Sequence, residues 1–188
     1  MSARNGNRFL SAAGLVLAFL LSANSANAEW QANPDDKRQV KAAKALAEFR
    51  ERIPGTEFYL GDAYGFAILP SIGRIGFGFG GSYGRGIVVE GDDVIGTTSL
   101  WQFSSGIQAG GKYFSMIIFF KDKEALEYYK IGKIQFLGQA GVALATVGVQ
   151  ATPSYNDGVA ILSVNRFGLM GEASASGAKF RYKSLSEE

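Results

Sequence analysis

The chain has 188 residues, of which 19 are basic and 17 acidic, and it contains 25 glycines but no histidine and no cysteine. Those two absences exclude a Ser-His-Asp triad, a Cys-His pair and nearly every zinc site, and they leave the fold without disulfides. A net charge of only +2 gives no nucleic-acid footprint.

The first 28 residues read as an export signal. Arg4 and Arg8 provide a positive start, "GLVLAFLL" from Gly14 to Leu21 a short apolar core, and Ala26-Asn27-Ala28 the small residues of a cleavage site. The apolar run is too short to span a bilayer comfortably, and no cysteine follows it to carry a lipid anchor. Cleavage is expected before Glu29, leaving one domain of about 160 residues. That domain would carry 17 basic and 17 acidic residues, and the expected location is the periplasm or beyond.

A helix is predicted over about residues 35–53. Asn33 stands as its N-cap and Pro34 at its first position, Asp35 and Asp36 complement the dipole, and Pro54 ends it. Val40, Ala43, Leu46 or Ala47, Phe49 and Ile53 form one apolar stripe, while Lys37, Arg38, Lys41 and Lys44 occupy the opposite side. The segments 64–69, 74–81, 86–90, 99–103 and 112–120 then read as strands. Between 86–90 and 99–103, "EGDDVIG" reads as a solvated hairpin turn, so its adjacent Asp92 and Asp93 are not a catalytic pair. "FSMIIFF" (114–120) is apolar on both faces and should be a central strand covered on both sides. A second, short helix follows, with Asp122 as cap and Gly132 just past its end. Strands are again expected over 133–149, with at least one break, and over 158–164 and 168–182, with the core spanning about 62–182.

"RIGFGFGGSYGRG" (Arg74 to Gly86) contains G-x-G-x-x-G, the pattern of a dinucleotide-binding turn. Such a turn needs a helix directly after the glycines, whereas the β-branched "GIVVE" follows here. Gly76, Gly78 and Gly80 alternate with Ile75, Phe77 and Phe79, as they would if a strand placed glycines on one face and large side chains on the other. A glycine face suits close approach of a helix, another backbone or a ligand, so something is expected to pack against Gly78. Together the elements predict an α+β fold: a mostly antiparallel, curled or barrel-like sheet with an N-terminal amphipathic helix and one short helix.

Several stretches resemble, in order, the SYLF domain, also known as the actin-binding domain of yeast actin-patch proteins. They are "AYGFAILPSIGRIGFGFGGSYGRGIVV", "SSGIQAGGKYFSMIIFFKDKEALEYY", "IQFLGQAGVALATVGVQA" and "GVAILSVNRFGLMGEASASGAKF". The resemblance runs from about Ala43 to Tyr182 and implies lipid binding through an amphipathic segment near the domain's N-terminus. Carried over by position, that segment is the 35–53 helix, with Lys37, Arg38, Lys41 and Lys44 as headgroup contacts. An exported bacterial protein does not meet actin or phosphoinositides, so neither is expected as a ligand. The expected function is a non-catalytic module, without metal or cofactor, that binds anionic phospholipid or a membrane surface. The alternatives are a small outer-membrane β-barrel, suggested by the glycine-aromatic alternation, and a structural module that binds an envelope protein.

Overall fold

The computed structural model describes residues 30–133, 136–137 and 155–187. The expected export signal and most of the expected 133–149 strand lie outside these residues. The described fold is α+β and β-rich. Helices α1 (Lys37–Arg52) and α2 (Thr56–Asp62) precede strands β1 (Gly65–Glu90) and β2 (Asp93–Phe120). Helix α3 (Lys123–Lys130), the two-residue β3 (Phe136–Leu137), β4 (Val159–Ser184) and a closing 3-10 turn (Leu185–Glu187) follow. Every pairing is antiparallel, and among the described residues the sheet runs β1-β2-β4-β3 without closing.

Helix α1 starts three residues later than its sequence suggests. Asp36, not Asn33, is the N-cap: its side chain accepts the Arg38 N–H at 2.7 Å, while the Asn33 side chain accepts the Asp35 N–H in the turn before it. Pro34 therefore belongs to that turn. The buried stripe is Ala42, Ala45, Leu46 and Phe49, with Ala43 and Ile53 at its margin and Ala47 exposed. The sequence reading missed α2, whose seven residues include Gly61 and follow Pro54-Gly55. Two buried contacts hold it in place. Thr56 Oγ1 donates to the Phe49 carbonyl at 3.1 Å, and Tyr59 stacks on Phe119 with ring centroids 5.0 Å apart. Helix α3 has the expected ends, an Asp122 cap on the Ala125 N–H and Gly132 in the left-handed region beyond.

The expected short strands prove to be segments of long ones. All of the expected 64–69 strand except Tyr64, together with 74–81 and 86–90, belongs to β1, whose Pro70 sits in a register shift between Leu69 and Ile72. An edge strand with a bulge tolerates a residue lacking an N–H, and the Ser115 hydroxyl donates to the Pro70 carbonyl at 2.9 Å. The segment around Gly76–Gly81 continues as strand, so it is no nucleotide turn. Glu90 pairs with Asp93 across Gly91-Asp92, the predicted hairpin. β2 is central, as expected. Ile117 and Phe119 face α1 and α2, with Phe66, Ile68 and Leu162, while Ile118 and Phe120 face α3, with Leu69, Leu100, Tyr129 and Phe180.

Long strands can share these two small cores only by doubling back. A Cβ added to Gly86 would run into the Ile68 carbonyl, one on Gly65 into the Val89 carbonyl, and one on Gly84 into Ile72 and Ser71. The two arms of β1 thus cross backbone against backbone, with the fold line near Gly78. There Gly78 has φ +72°, and on β2 Gly106 and Gly110 also take positive φ, a region in which L-residues are strained. This corrects the expectation for the glycine alternation. Nothing lies within 4 Å of a Cβ placed on Gly78, and a register shift between Phe77 and Phe79 interrupts the alternation there. Gly78 serves the bend, and close packing falls to Gly65, Gly84 and Gly86.

The two roles separate in stability measurements. Gly86→Ala should lower the urea-unfolding free energy by about 1–3 kcal/mol or more through overpacking. Gly78→Ala should cost only the left-handed backbone penalty, about 1–2 kcal/mol, and Gly78→Asn, bulkier but at home in that region, should cost no more than Gly78→Ala because nothing lies close enough to clash.

Candidate functional site

A groove of about 860 Å3 opens between the first turns of α1 and the sheet face beyond that helix. Such a volume suits a small-molecule or chain-like ligand. α1 contributes Arg38 and Lys41, β1 contributes Ile75, Tyr83 and Arg85, and β2 contributes Trp101, Phe103 and Tyr113. Strand periodicity makes this one wall: residues 81, 83 and 85 share a face of β1, and the register sets Tyr83 opposite Trp101 and Gly81 opposite Phe103. The Tyr83 and Trp101 rings meet at 4.5 Å, tilted by 54°. The Arg85 guanidinium lies 5.7 Å from the Tyr83 ring centre and its Nε donates to the Tyr83 hydroxyl. Across the groove, Tyr113 covers Gly73, whose missing Cβ would stand 3.2 Å from the ring. No carboxylate is among the described residues that line the groove.

Of the four cations expected to contact lipid, the structure brings Arg38 and Lys41 into the groove, whereas Lys37 and Lys44 do not line it. All four are exposed. Lys37, Lys41 and Lys44 make no ion pair among the described residues, and Arg38 lies 3.6 Å from Asp36. The C-terminal end of α1 is different. Arg50 pairs with Glu57 at 2.9 Å, and Glu48 takes both Arg52 at 2.9 Å and Arg166 at 2.6 Å, fastening that end to α2 and β4. Lys37 and Arg38 occupy the first turn, where the helix dipole disfavours cations. Burial alone would push the Asp36 carboxyl up, but the Arg38 and Gln39 N–H groups and the Arg38 charge hold it below its ordinary value.

The aromatic half of the site was missed at the sequence level. Trp101 and Phe103 read as ordinary strand residues, and Ile75, Phe77 and Phe79 as one face of the alternation. The overlooked signal was three large apolar residues that the hairpin register sets opposite only small ones, Gly111, Ala109 and Ser105. Other unusual side chains have structural roles. Burial pushes the Tyr129 phenol far up, opposed by its 2.6 Å hydrogen bond with Thr98, inside the core under α3. No group of three or more potential metal-ligating side chains occurs among the described residues.

No family model matches the chain, and no solved structure matches it. A protein of Aeromonas veronii named beta cell expansion factor A is 25% identical over 156 residues, 79% of this chain and 59% of that protein. This chain therefore matches less than two thirds of that relative's length.

The Asp36 cap holds the end of α1 that carries the groove cations. Asp36→Ala should destabilise the fold by about 1 kcal/mol at neutral pH. A lowered carboxyl pKa contributes stability above its unfolded value that is lost as pH falls through the folded value. Acid titration should therefore narrow the gap between parent and variant only below the ordinary value of 3.8.

Proposed function

We propose that this chain is an exported, non-catalytic module that binds anionic membrane surfaces, as its resemblance to the SYLF domain implies. In this reading the protein acts in the periplasm or outside the cell, and the curled, barrel-like bend of the sheet serves to present one wall to the lipid. The observation that carries the reading is the composition of the groove: Arg38, Lys41 and Arg85 stand beside the exposed rings of Tyr83, Trp101 and Tyr113, with no acid among the described lining residues. Cations attract a negative headgroup layer, each contributing about 1 kcal/mol near the surface. Tyrosine and tryptophan favour the headgroup boundary because each ring has an apolar body and a polar tip.

The geometry narrows the role of the helix. Leu46 and Phe49 are buried in the core, so α1 does not lay its apolar stripe into lipid while the domain stays folded. Its exposed flank makes the contact and the sheet supplies the rings. Arg38 and Lys41 are then the principal helix contacts, while Lys37 and Lys44 add longer-range attraction.

Flotation with phosphatidylglycerol-containing vesicles tests this directly. The protein should float with them, remain behind with purely zwitterionic vesicles, and bind less as salt rises. Lys41→Glu combined with Arg38→Glu should weaken flotation about tenfold or more. The same reversal at Lys37 and Lys44 should have a smaller effect, and neither pair should move the thermal transition much. Equal binding by the Arg38/Lys41 variant and the parent would remove the helix flank from the contact.

A further inference from the structure

The groove wall continues past Ile75 and Phe103 into a bare apolar tip. Around the fold line Phe77 is 88% exposed, Phe79 81%, Ile75 74% and Phe103 73%. These are neighbours rather than scattered residues. Phe77 and Phe79 flank Gly78, Ile75 lies two residues before Phe77 on β1, and Phe103 is paired with Gly81, two residues beyond Phe79. Contiguous apolar surface of this kind marks an interaction site more often than ordinary protein exterior.

Its composition is ordered by distance from the bend. Phenylalanine and isoleucine come first. Next come Tyr83 opposite Trp101 on one arm and Tyr113 opposite Gly73 on the other. Arg85 follows, with Arg38 and Lys41 of α1 on the same groove wall. At about 3.3 Å per residue, Phe79 and Arg85 are separated by about 20 Å along the strand. Within the groove-facing arms, Gly73–Gly86 and Gly96–Tyr113 contain no acidic residue. β4 brings Glu172 to this end, in register with Gln108. An apolar end, then amphipathic rings, then cations is the sequence of environments met along the normal from a bilayer's acyl region to its charged surface.

We propose that the bent end of the sheet enters the bilayer tip first, with Phe77, Phe79, Ile75 and Phe103 in the acyl region and Trp101 at the headgroup boundary. The occupant of this surface is an anionic bilayer, and the inference rests on the membrane-binding reading above. It adds a depth and an orientation: the bent ends of β1, β2 and the β4 segment paired with β2 point toward the membrane, with α1 lying outside it. Glycine suits the apex because the bend demands positive φ at Gly78, Gly106 and Gly110, and because a small backbone-only position lets neighbouring phenylalanines splay outward.

The test uses the protein with vesicles of phosphatidylglycerol and phosphatidylcholine whose acyl chains carry bromine at a defined shallow or deep carbon. Trp101 emission, read as the difference between the parent and Trp101→Phe because the buried Trp30 also emits, should shift to the blue and be quenched more strongly by the shallow label. Phe77→Asp with Phe79→Asp should lower vesicle partitioning about tenfold or more and make the remaining binding salt-labile, at an unchanged melting temperature. The quenching measurement on the parent stands on its own should that variant not fold. Flotation with Trp101 neither shifted nor quenched would overturn the insertion and leave headgroup binding intact. Absence of flotation would end both readings. Trp101 emission already blue without vesicles, or blue only as protein concentration rises, would assign the surface to the chain itself or to a second copy and overturn the proposal.

Discussion

The crossing of β1 over itself governs the architecture. Twenty-six residues of extended chain would reach about 85 Å if straight, far beyond a helix of 16 residues, about 24 Å long. The arms approach until one backbone lies against the other because Gly65, Gly84 and Gly86 have no side chain to hold them apart. Glycine in a strand sacrifices packing and backbone entropy. That loss is offset by the two apolar clusters the crossing creates, one under α1 and α2 and one closed by α3. Phe120, Tyr129 and Phe180, with ring centroids 4.9 and 5.4 Å apart in succession, fill the second cluster. The Thr98–Tyr129 hydrogen bond keeps the buried hydroxyls satisfied.

The bare tip follows from the same crossing. Burial is concentrated where the arms meet the helices, at residues 66–69, 72 and 87–89 of β1, and the middle of the strand extends past both helices. Helix α1 reflects that division. Its C-terminal half is packed and its arginines are engaged by Glu48 and Glu57, whereas its N-terminal half meets the groove with Arg38, which the dipole opposes, and with Lys41 one turn further on. The Asp36 cap offsets that opposition locally without neutralising Lys41 or Lys44, which lie further along the helix.

Sequence legibility tracked how local each determinant is. The Asp122 cap, Gly132 beyond α3 and the hairpin at Gly91-Asp92 depend on neighbours a few residues away, and each was readable. So was the two-sided burial of 114–120, because a strand apolar on both faces has nowhere to sit except between layers. Helix α2 was hidden because its apolar anchor, the Phe119 ring, is remote in sequence, and its nearer anchor is the Phe49 backbone carbonyl, which no side-chain pattern marks. The glycines show the limit best. Alternation correctly marked 74–81 as strand, but which glycines bend the chain and which admit another backbone depends on partners such as Ile68 and Val89, near in space only after folding. The cations on α1 were legible as an exposed face. Their division into two that reach the groove and two that do not depends on how the sheet turns beneath them.

Two features on one wall oppose the stability of the isolated domain: large apolar side chains in water at the bend and an arginine, Arg38, in the first turn of a helix. Either alone has ordinary precedents, since scattered surface apolar residues are common and a capped helix tolerates an unfavourable charge. Their coincidence is more informative. Residues that break local rules tend to gather where function requires it, and a single external partner relieves both penalties here only if it offers an apolar medium and negative charge a short distance apart. An apolar protein surface satisfies the phenylalanines but brings no negative charge to the basic side of the wall, and a simple anion does the reverse. An anionic bilayer presents both in the order in which this wall displays them.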